Sequence, residues 1–237
     1  MRSPGRGSVS PRPGRAGRAL GAIRRAAAIA AAAAVYGCSD PDRARLQATT
    51  KPTYDKATGQ LKELTFDANR NGRIDTWTEM DGNRPLRSRV DTNEDGTLDR
   101  WEYYDAAGTL VKVGLSRKES GRPDAWAYAG TGGRIDRIEA SSTGDETRID
   151  RWEYYDATAA PGADGAGVLL RVDEDANHDG RRDKWERYDH GVLRSAEFDE
   201  DGDGRPDRRL TYDGTALVSI EVADGRGGYR KSSVVGR

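Results

Sequence analysis

The sequence predicts an all-β protein, built as a repetitive antiparallel meander of about seven β-hairpins. Tryptophans recur in phase, acidic loops recur in the same phase, and Gly-containing turns lie between them. The repeated tryptophans are Trp77, Trp101, Trp126, Trp152 and Trp185. Their spacing is 24, 25, 26 and 33 residues, the last because residues 157–167 are an Ala/Gly-rich insertion. Beyond the first 37 residues no apolar stripe recurs at helical spacing, so we expect little helix.

The unit at residues 91–110 shows why each repeat is expected to be a hairpin. Trp and Tyr suit a pleated, half-buried surface, and Trp101 and Tyr103 are two residues apart, so they share a sheet face. The segment from Asp105 to Gly108 supplies the turn. A meander places alternate connections at opposite borders, so all acidic loops should lie on one border and all Gly-rich turns on the other. We expect about fourteen strands that curl into an open or spiral sheet, with the tryptophans as a core ladder.

The N-terminal segment differs from the rest. Residues 1–37 contain seven Arg and no Asp or Glu, and an apolar run from Ala26 to Val35 leads to Gly37 and Cys38. A basic stretch, a short apolar run and small residues are typical of a signal peptide. The segment resembles a bacterial lipoprotein signal, which implies lipidation of Cys38 and a membrane anchor. Ser39 is not the Asp that favours inner-membrane retention, so the outer membrane is expected. An Arg/Ala-rich tail and a transit peptide stay open as alternatives.

Charge and cysteine content limit the function of the remainder. Without residues 1–37 the chain has 32 basic and 40 acidic residues, a net charge of −8, which argues against a nucleic-acid partner and suits divalent cations. Cys38 is the sole cysteine, so no internal disulfide can stabilise the thin core. We predict a linker at 38–52, a repeat domain at 53–223 and a flexible tail at 224–237.

Four acidic loops match the oxygen-ligand pattern of a calcium loop at positions 1, 3, 5, 7, 9 and 12, with Gly at position 6. Position 7 contributes its backbone carbonyl. The candidate ligands of the second loop are Asp91, Asn93, Asp95, Thr97, Asp99 and Glu102. Those of the third are Asp175, Asn177, Asp179, Arg181, Asp183 and Glu186. Those of the fourth are Asp199, Asp201, Asp203, Arg205 and Asp207. Those of the first are Asp67, Asn69, Asn71, Arg73 and Asp75.

Asp and Asn side chains can also cap turns by accepting hydrogen bonds from their own backbone. That alternative explains one or two oxygens per loop and stays open, above all for the loop at 67, which has fewer acids. The two loops in the middle of the chain, residues 116–124 and 142–150, keep only the final acid, Asp124 and Asp150. We therefore expect a metal-free gap between two pairs of calcium sites.

Two family resemblances rest on these residues. The acidic loops resemble EF-hand-type calcium loops and those of dockerin modules, although WEYYD rather than a helix follows the loop at 91. The hairpin segment from Tyr104 to Leu110 resembles the YD repeats of RHS-type surface and toxin proteins, which implies a long, curling antiparallel sheet. The chain is too short for a closed toxin shell, so that function is not implied.

The preferred functional hypothesis is a calcium-binding, non-enzymatic lipoprotein of the bacterial envelope with a display, adhesion or scaffolding role. The alternative is a carbohydrate- or polymer-binding module that uses exposed aromatics. The least favoured is an enzyme resembling a glycoside hydrolase, because the repeat phase already accounts for the carboxylates. His178 and His190 are expected to be solvated.

Overall fold

The structure, a computed structural model, describes residues 49–158 and 167–232. Within these ranges the chain forms a 15-stranded antiparallel sheet, open at both edges, whose strands follow one another in chain order. The strands are β1 Thr50–Tyr54, β2 Leu61–Phe66, β3 Thr76–Asp81, β4 Arg84–Val90, β5 Arg100–Tyr104, β6 Leu110–Leu115, β7 Ala125–Ala129, β8 Ile135–Ala140, β9 Arg151–Asp156, β10 Val168–Glu174, β11 Lys184–Asp189, β12 Val192–Phe198, β13 Arg208–Asp213, β14 Ala216–Ala223 and β15 Tyr229–Ser232. The all-β hairpin meander predicted from the sequence is confirmed.

Both ends of the sheet differ from the predicted boundaries. Strand β1 starts inside the predicted linker 38–52, and β15 lies inside the predicted tail 224–237. The tail is held because the Tyr229 hydroxyl donates a 2.6 Å hydrogen bond to the carbonyl of Pro206, and the Arg209 guanidinium lies 3.9 Å from the centre of the Tyr229 ring. The predicted signal segment 1–37 and the lipidation residue Cys38 lie outside the described residues. No helix in the described ranges is long and apolar enough to cross a membrane.

One face of the sheet buries a row of small and apolar side chains that stand opposite one another on successive strands. Val113 on β6 pairs with Ala127 on β7, and both pack in a buried cluster with Leu115 and Ile135. Val172 on β10 has 0% of its surface exposed. This face contains the apolar core of the described chain.

The tryptophans lie on the opposite face. Trp101 is buried at 8% exposure, whereas the other four are half-buried. On the strand between two tryptophans stands a charged residue or a glycine; Gly114, for example, pairs with both Trp101 and Trp126. The expected tryptophan ladder is therefore present, but only Trp101 is buried, and the buried apolar cluster lies on the other face. Along its strand each tryptophan is one residue away from the row that contains Val113 and Ala127. The tryptophans therefore form a ladder on the other face of the sheet.

Every hairpin carries an irregularity at the same place. In all seven turn-linked strand pairs the register shifts near the turn, so that one residue of the second strand has no partner opposite it. A β-bulge bends its strand and increases the local twist. The unpaired residues are Lys62, Leu86, Val111, Asp136, Leu170, Arg194 and Val218. The strand pairs joined by the acidic or degenerate loops have no such shift.

Candidate metal centre

All the loops in phase with the acidic repeat lie on one border of the sheet, which we call the loop border. It consists of the connections β2–β3, β4–β5, β6–β7, β8–β9, β10–β11, β12–β13 and β14–β15, because alternate connections of a meander fall on opposite sides. The hairpin turns occupy the other border. The loops at 67 and 91 are neighbours, and so are those at 175 and 199, as predicted.

Backbone hydrogen bonds join neighbouring loops into a continuous rim. The first residue of each loop donates its N–H to the carbonyl of the ninth residue of the preceding loop, for example Asp91 to Asp75 and Asp199 to Asp183, both at 2.8 Å. All four of these aspartates are buried. Asp150 and Asp175 form a third such pair. Like charges directly opposite one another destabilise a sheet, so these pairs call for nearby positive charge.

Within each acidic loop the side chains accept hydrogen bonds from the loop backbone. In the loop at 175, Asp175 accepts from the N–H of Gly180, Asn177 from Asp179, and Asp179 from Arg181, at 2.8 to 2.9 Å. The ninth residue, Asp183, accepts from the N–H of Ala176 at 3.0 Å. The same scheme recurs in the other three acidic loops. Turn formation thus uses both carboxylate oxygens of Asp67, Asp175, Asp183 and Asp199 and one oxygen of the other ligand candidates. Further lone pairs remain on these carboxylates and amides.

The loop at 199 brings three carboxylates together. One oxygen each from Asp199, Asp201 and Asp207 lie within 4.8 Å of one another, and this cluster could hold a metal ion. Among the His, Cys, Asp and Glu residues of 49–158 and 167–232, no other group of three meets that spacing. The fifth residue of the loop, Asp203, is outside the group.

The loop at 91 contains a buried oxygen that has no hydrogen-bond partner, Oδ1 of Asp91. The corresponding Oδ1 of Asp67 accepts the N–H of Arg70 at 2.6 Å, and that of Asp175 accepts the N–H of Asp179 at 3.1 Å. Asp91 is only 6% exposed, so this oxygen is a charged group without its partner. A cation would satisfy it.

The loop at 67 is held from outside by its neighbour. The carboxylate of Glu94, the fourth residue of the loop at 91, accepts hydrogen bonds from the side-chain amides of Asn69 and Asn71. Each of these two amide oxygens meanwhile accepts a backbone N–H of its own loop, from Asn71 and Arg73 respectively. Glu94 therefore fixes which end of each amide faces into the loop at 67.

The glutamates at position 12 are not loop residues in the structure. Glu102 lies in β5, where one oxygen lies 2.7 Å from Nε of Arg100 and the other accepts the Tyr104 hydroxyl at 2.6 Å. Glu186 in β11 is held in the same way by Lys184 and Tyr188. Glu102 and Glu186, predicted as ligands at position 12, thus lie in strands, and both carboxylate oxygens of each already have partners there. Residues two apart on a strand share a face, and these oxygens are already used there.

The two degenerate loops explain the last residue. In the structure the second of these loops begins at Ser141, so Asp150 is its tenth residue. Asp124 and Asp150, the last residues of the two loops, accept the N–H of the second loop residue, Arg117 and Ser142, at 2.9 Å. The acidic loops use their last aspartate in the same way. The final aspartate is present in all six loops because it closes the loop, whether or not the loop carries other acids.

Turn hydrogen bonds also set the protonation of exposed acids. The backbone N–H of Thr97 and then the side-chain amide of Asn93 lower the pKa of Asp95 from its ordinary 3.8. Backbone and side-chain bonds from Thr58 lower the pKa of Asp55 in the first turn. These hydrogen bonds therefore favour the charged form of Asp95 on the loop border and of Asp55 on the turn border.

The histidines differ in their surroundings. His190 is in a turn, and its side chain is 91% exposed, as expected. His178 is the fourth residue of the loop at 175 and lies beside a pocket of about 180 Å³ between that loop and the preceding one. Its Nδ1 is 3.5 Å from a carboxylate oxygen of Asp150. No sequence pattern indicates this contact, because it depends on how the two loops stack on each other.

The chain was compared with known proteins. No family model matches it, and no curated protein matches it. Among solved structures, TarM aligns with a TM-score of 0.33 and 10% identity over 41% of this chain and 18% of that chain. TcdB2-TccC3 aligns with a TM-score of 0.22 and 12% identity over 73% of this chain and 12% of that chain. The chain thus spans less than one fifth of the length of either protein.

Proposed function

We propose that this protein binds calcium along the loop border of a non-enzymatic β-repeat sheet. The observation that carries the proposal is the group formed by Asp199, Asp201 and Asp207, whose oxygens lie within 4.8 Å of one another. All three come from one short loop that also supplies backbone carbonyls. Calcium takes six to eight oxygen ligands of this kind, whereas zinc and copper prefer His and Cys.

Two further observations support a cation at this border. The Oδ1 of Asp91 is buried without a partner. Buried aspartates face one another across the rim, as Asp75 does Asp91 and Asp183 does Asp199. A divalent ion offsets both the unpaired oxygen and the repulsion. The proposed side-chain ligands are the first, third, fifth and ninth residues of the four acidic loops, without Glu102 and Glu186. The carbonyls of Arg73, Thr97, Arg181 and Arg205 complete the proposed sets.

The experiment is calcium titration of the full chain by calorimetry, followed by thermal unfolding in calcium and in chelator. Extracellular calcium modules bind at about 0.1 to 1 mM, and one site at 100 times its Kd adds about 2.7 kcal/mol. We expect binding heat and a higher melting temperature in calcium. Asp201→Asn should reduce the heat, while Asp213→Asn in an exposed turn of the opposite border should not. Absence of heat together with an unchanged melting temperature would overturn the proposal.

The wider role we propose is display, adhesion or scaffolding in a bacterial envelope, with the protein anchored through Cys38. Support comes from the sequence: an Arg-rich segment and an Ala run end at Gly37 and Cys38. The test is expression of Cys38→Ala in a lipoprotein-competent bacterium. The parent should partition into detergent and the variant should not; equal partitioning would contradict the lipid anchor.

A second candidate is binding of a carbohydrate or other polymer, and the half-exposed tryptophan row favours it. Against it, Lys112 lies 3.8 Å from the centre of the Trp126 ring, and Arg182 lies 4.5 Å from that of Trp152. These cations cover ring surface that a sugar would need. Titration of bacterial glycans against tryptophan fluorescence tests this candidate, and a saturable change would favour it over a purely structural row.

A further inference from the structure

The two loops at the centre of the loop border differ from their neighbours in the first residue. It is Ser116 or Ser141, where the four acidic loops have aspartate. The basic residues of the two central loops are Arg117, Lys118 and Arg122 in the first and Arg148 in the second. Three of the acidic loops contain arginines as well, so the contacts of these side chains, and not their number, distinguish the central loops.

Arg117 is an exposed residue of the loop at 116 whose guanidinium reaches a buried acid of the same loop and the backbone of the next loop. Its Nε lies 3.1 Å from a carboxylate oxygen of Asp124, and its Nη2 donates to the carbonyls of Asp124 and Ser141 at 3.3 and 2.7 Å. Asp124 has 0% of its surface exposed. The guanidinium thus places positive charge against one oxygen of a buried carboxylate and contacts two carbonyls at once, while Oδ2 of Asp124 has no hydrogen-bond partner.

Two other basic side chains also donate hydrogen bonds to backbone carbonyls of the following loop. Nζ of Lys118 donates to the carbonyl of Ser142 at 2.6 Å, and Nη2 of Arg148 donates to the carbonyl of His178 at 3.3 Å. Each of the three side chains starts in one loop and ends on a backbone carbonyl of the next loop. Carboxylate and carbonyl oxygens are also the ligands of calcium, so these cations satisfy the same type of acceptor.

We infer that the centre of the loop border is a calcium-independent clamp, in which Arg117, Lys118 and Arg148 do the work that metal ions do on either side. Strands β6 to β9 are therefore held together in the absence of calcium. The loops at 67 and 91 on one side, and at 175 and 199 on the other, loosen when calcium is removed. The part about the outer loops rests on the proposed calcium function, whereas the clamp rests on the contacts of the three cations.

The test is amide hydrogen exchange of the full chain in calcium and in chelator, with Arg117→Gln and its matched control Arg122→Gln. Arg122 belongs to the same loop, carries the same charge and is exposed. Chelation should speed exchange at 91–99 and 199–207 and leave 116–124 and 141–150 unchanged. Arg117→Gln should speed exchange in both central loops equally in calcium and in chelator, and Arg122→Gln should not. If Arg117→Gln does not fold, the milder Lys118→Gln should show the same calcium-independent pattern.

Two outcomes would overturn the clamp. One is faster exchange of the central loops on chelation, to the extent seen in the acidic loops. The other is an Arg117→Gln effect that disappears in calcium, which would mean that metal binds there as well. If calcium changes the exchange rate at no position, the proposed calcium function is refuted. In that case, faster exchange of the central loops in Arg117→Gln, equal in calcium and in chelator, still supports the clamp.

Discussion

Replacing Asp91 by Asn should change stability in opposite directions with and without calcium. Without metal, Asp91 has a buried, unpaired Oδ1 and a buried neighbour, Asp75, whose carbonyl accepts its N–H. Asparagine keeps an oxygen for the Gly96 N–H and removes the charge. Leaving a buried group unsatisfied costs about 1–3 kcal/mol and more when the group is charged, so the neutral amide should cost less than the carboxylate. In chelator we therefore expect Asp91→Asn to be about 1 kcal/mol more stable than the parent.

With calcium at 100 times its Kd, the parent gains about 2.7 kcal/mol from this site, and the variant loses that gain. The variant should then be about 2 kcal/mol less stable, since its advantage in chelator offsets part of the loss. A change of 1 kcal/mol shifts the melting temperature by about 2–4 °C in a chain of this size. The assay is thermal and urea unfolding of both proteins in each condition. The control is Asp105→Asn, which neutralises an exposed turn aspartate that also accepts backbone N–H groups. Equal destabilisation by Asp91→Asn in both conditions would show that Asp91 only shapes the turn.

Three other predictions follow from single contacts. Glu94→Ala should weaken calcium binding at the loop at 67 in calorimetry, because the amides that Glu94 holds are then free to flip. Glu119→Ala, at the same position in the loop at 116, should not. Unchanged heat in both variants would refute the coupling of Glu94 to the loop at 67. Gly114→Ala should lower the free energy of unfolding by about 1–3 kcal/mol in urea, because the new methyl would meet the Trp126 ring at 2.6 Å, and a neutral result would contradict this ring placement. The pKa of Asp95 is lowered in the folded protein, so in chelator its charged form adds stability above the unfolded pKa near 3.8, and this stability is lost as the pH falls through the lower folded pKa. Asp95→Ala should therefore reduce the dependence of the free energy of unfolding, measured in urea, on pH in the acid range. An unchanged pH dependence would exclude this contribution.

The repeat phase was enough to predict the architecture. The tryptophan spacing, together with the acidic loops and turn signals in the same phase, predicted about seven hairpins. Because short links join the strands of a meander, all the acidic loops must lie on the same border. Strand β15 was missed because Tyr229–Ser232 is short and polar, and its order comes from the distant contacts of Tyr229 with Pro206 and Arg209. Such contacts have no local pattern.

The ligand set was less predictable than the fold. The ligand at position 12 was predicted from the EF-hand spacing, in which a helix follows the loop. Here strand β5 follows the loop at 91. Because side chains alternate between the two faces of a strand, Glu102 shares a face with Arg100 and Tyr104 and contacts both. The clamp was missed for a similar reason. Arg117 reads as an ordinary surface arginine until the next loop is placed beside it, at a sequence separation of 24 residues.

The regular register between hairpins makes the chain length adjustable. Every pair of strands joined across the loop border from β2–β3 to β12–β13 shares the same four cross-strand positions, free of bulges. One hairpin therefore docks on the next in the same way wherever it stands. Excising residues 175–198 would connect Glu174 directly to Asp199, and β13 would meet β10 with the geometry that β11 has now. A gene could thus lengthen or shorten this sheet by whole repeats, and with each repeat it would add or remove one loop of either the acidic or the clamped kind.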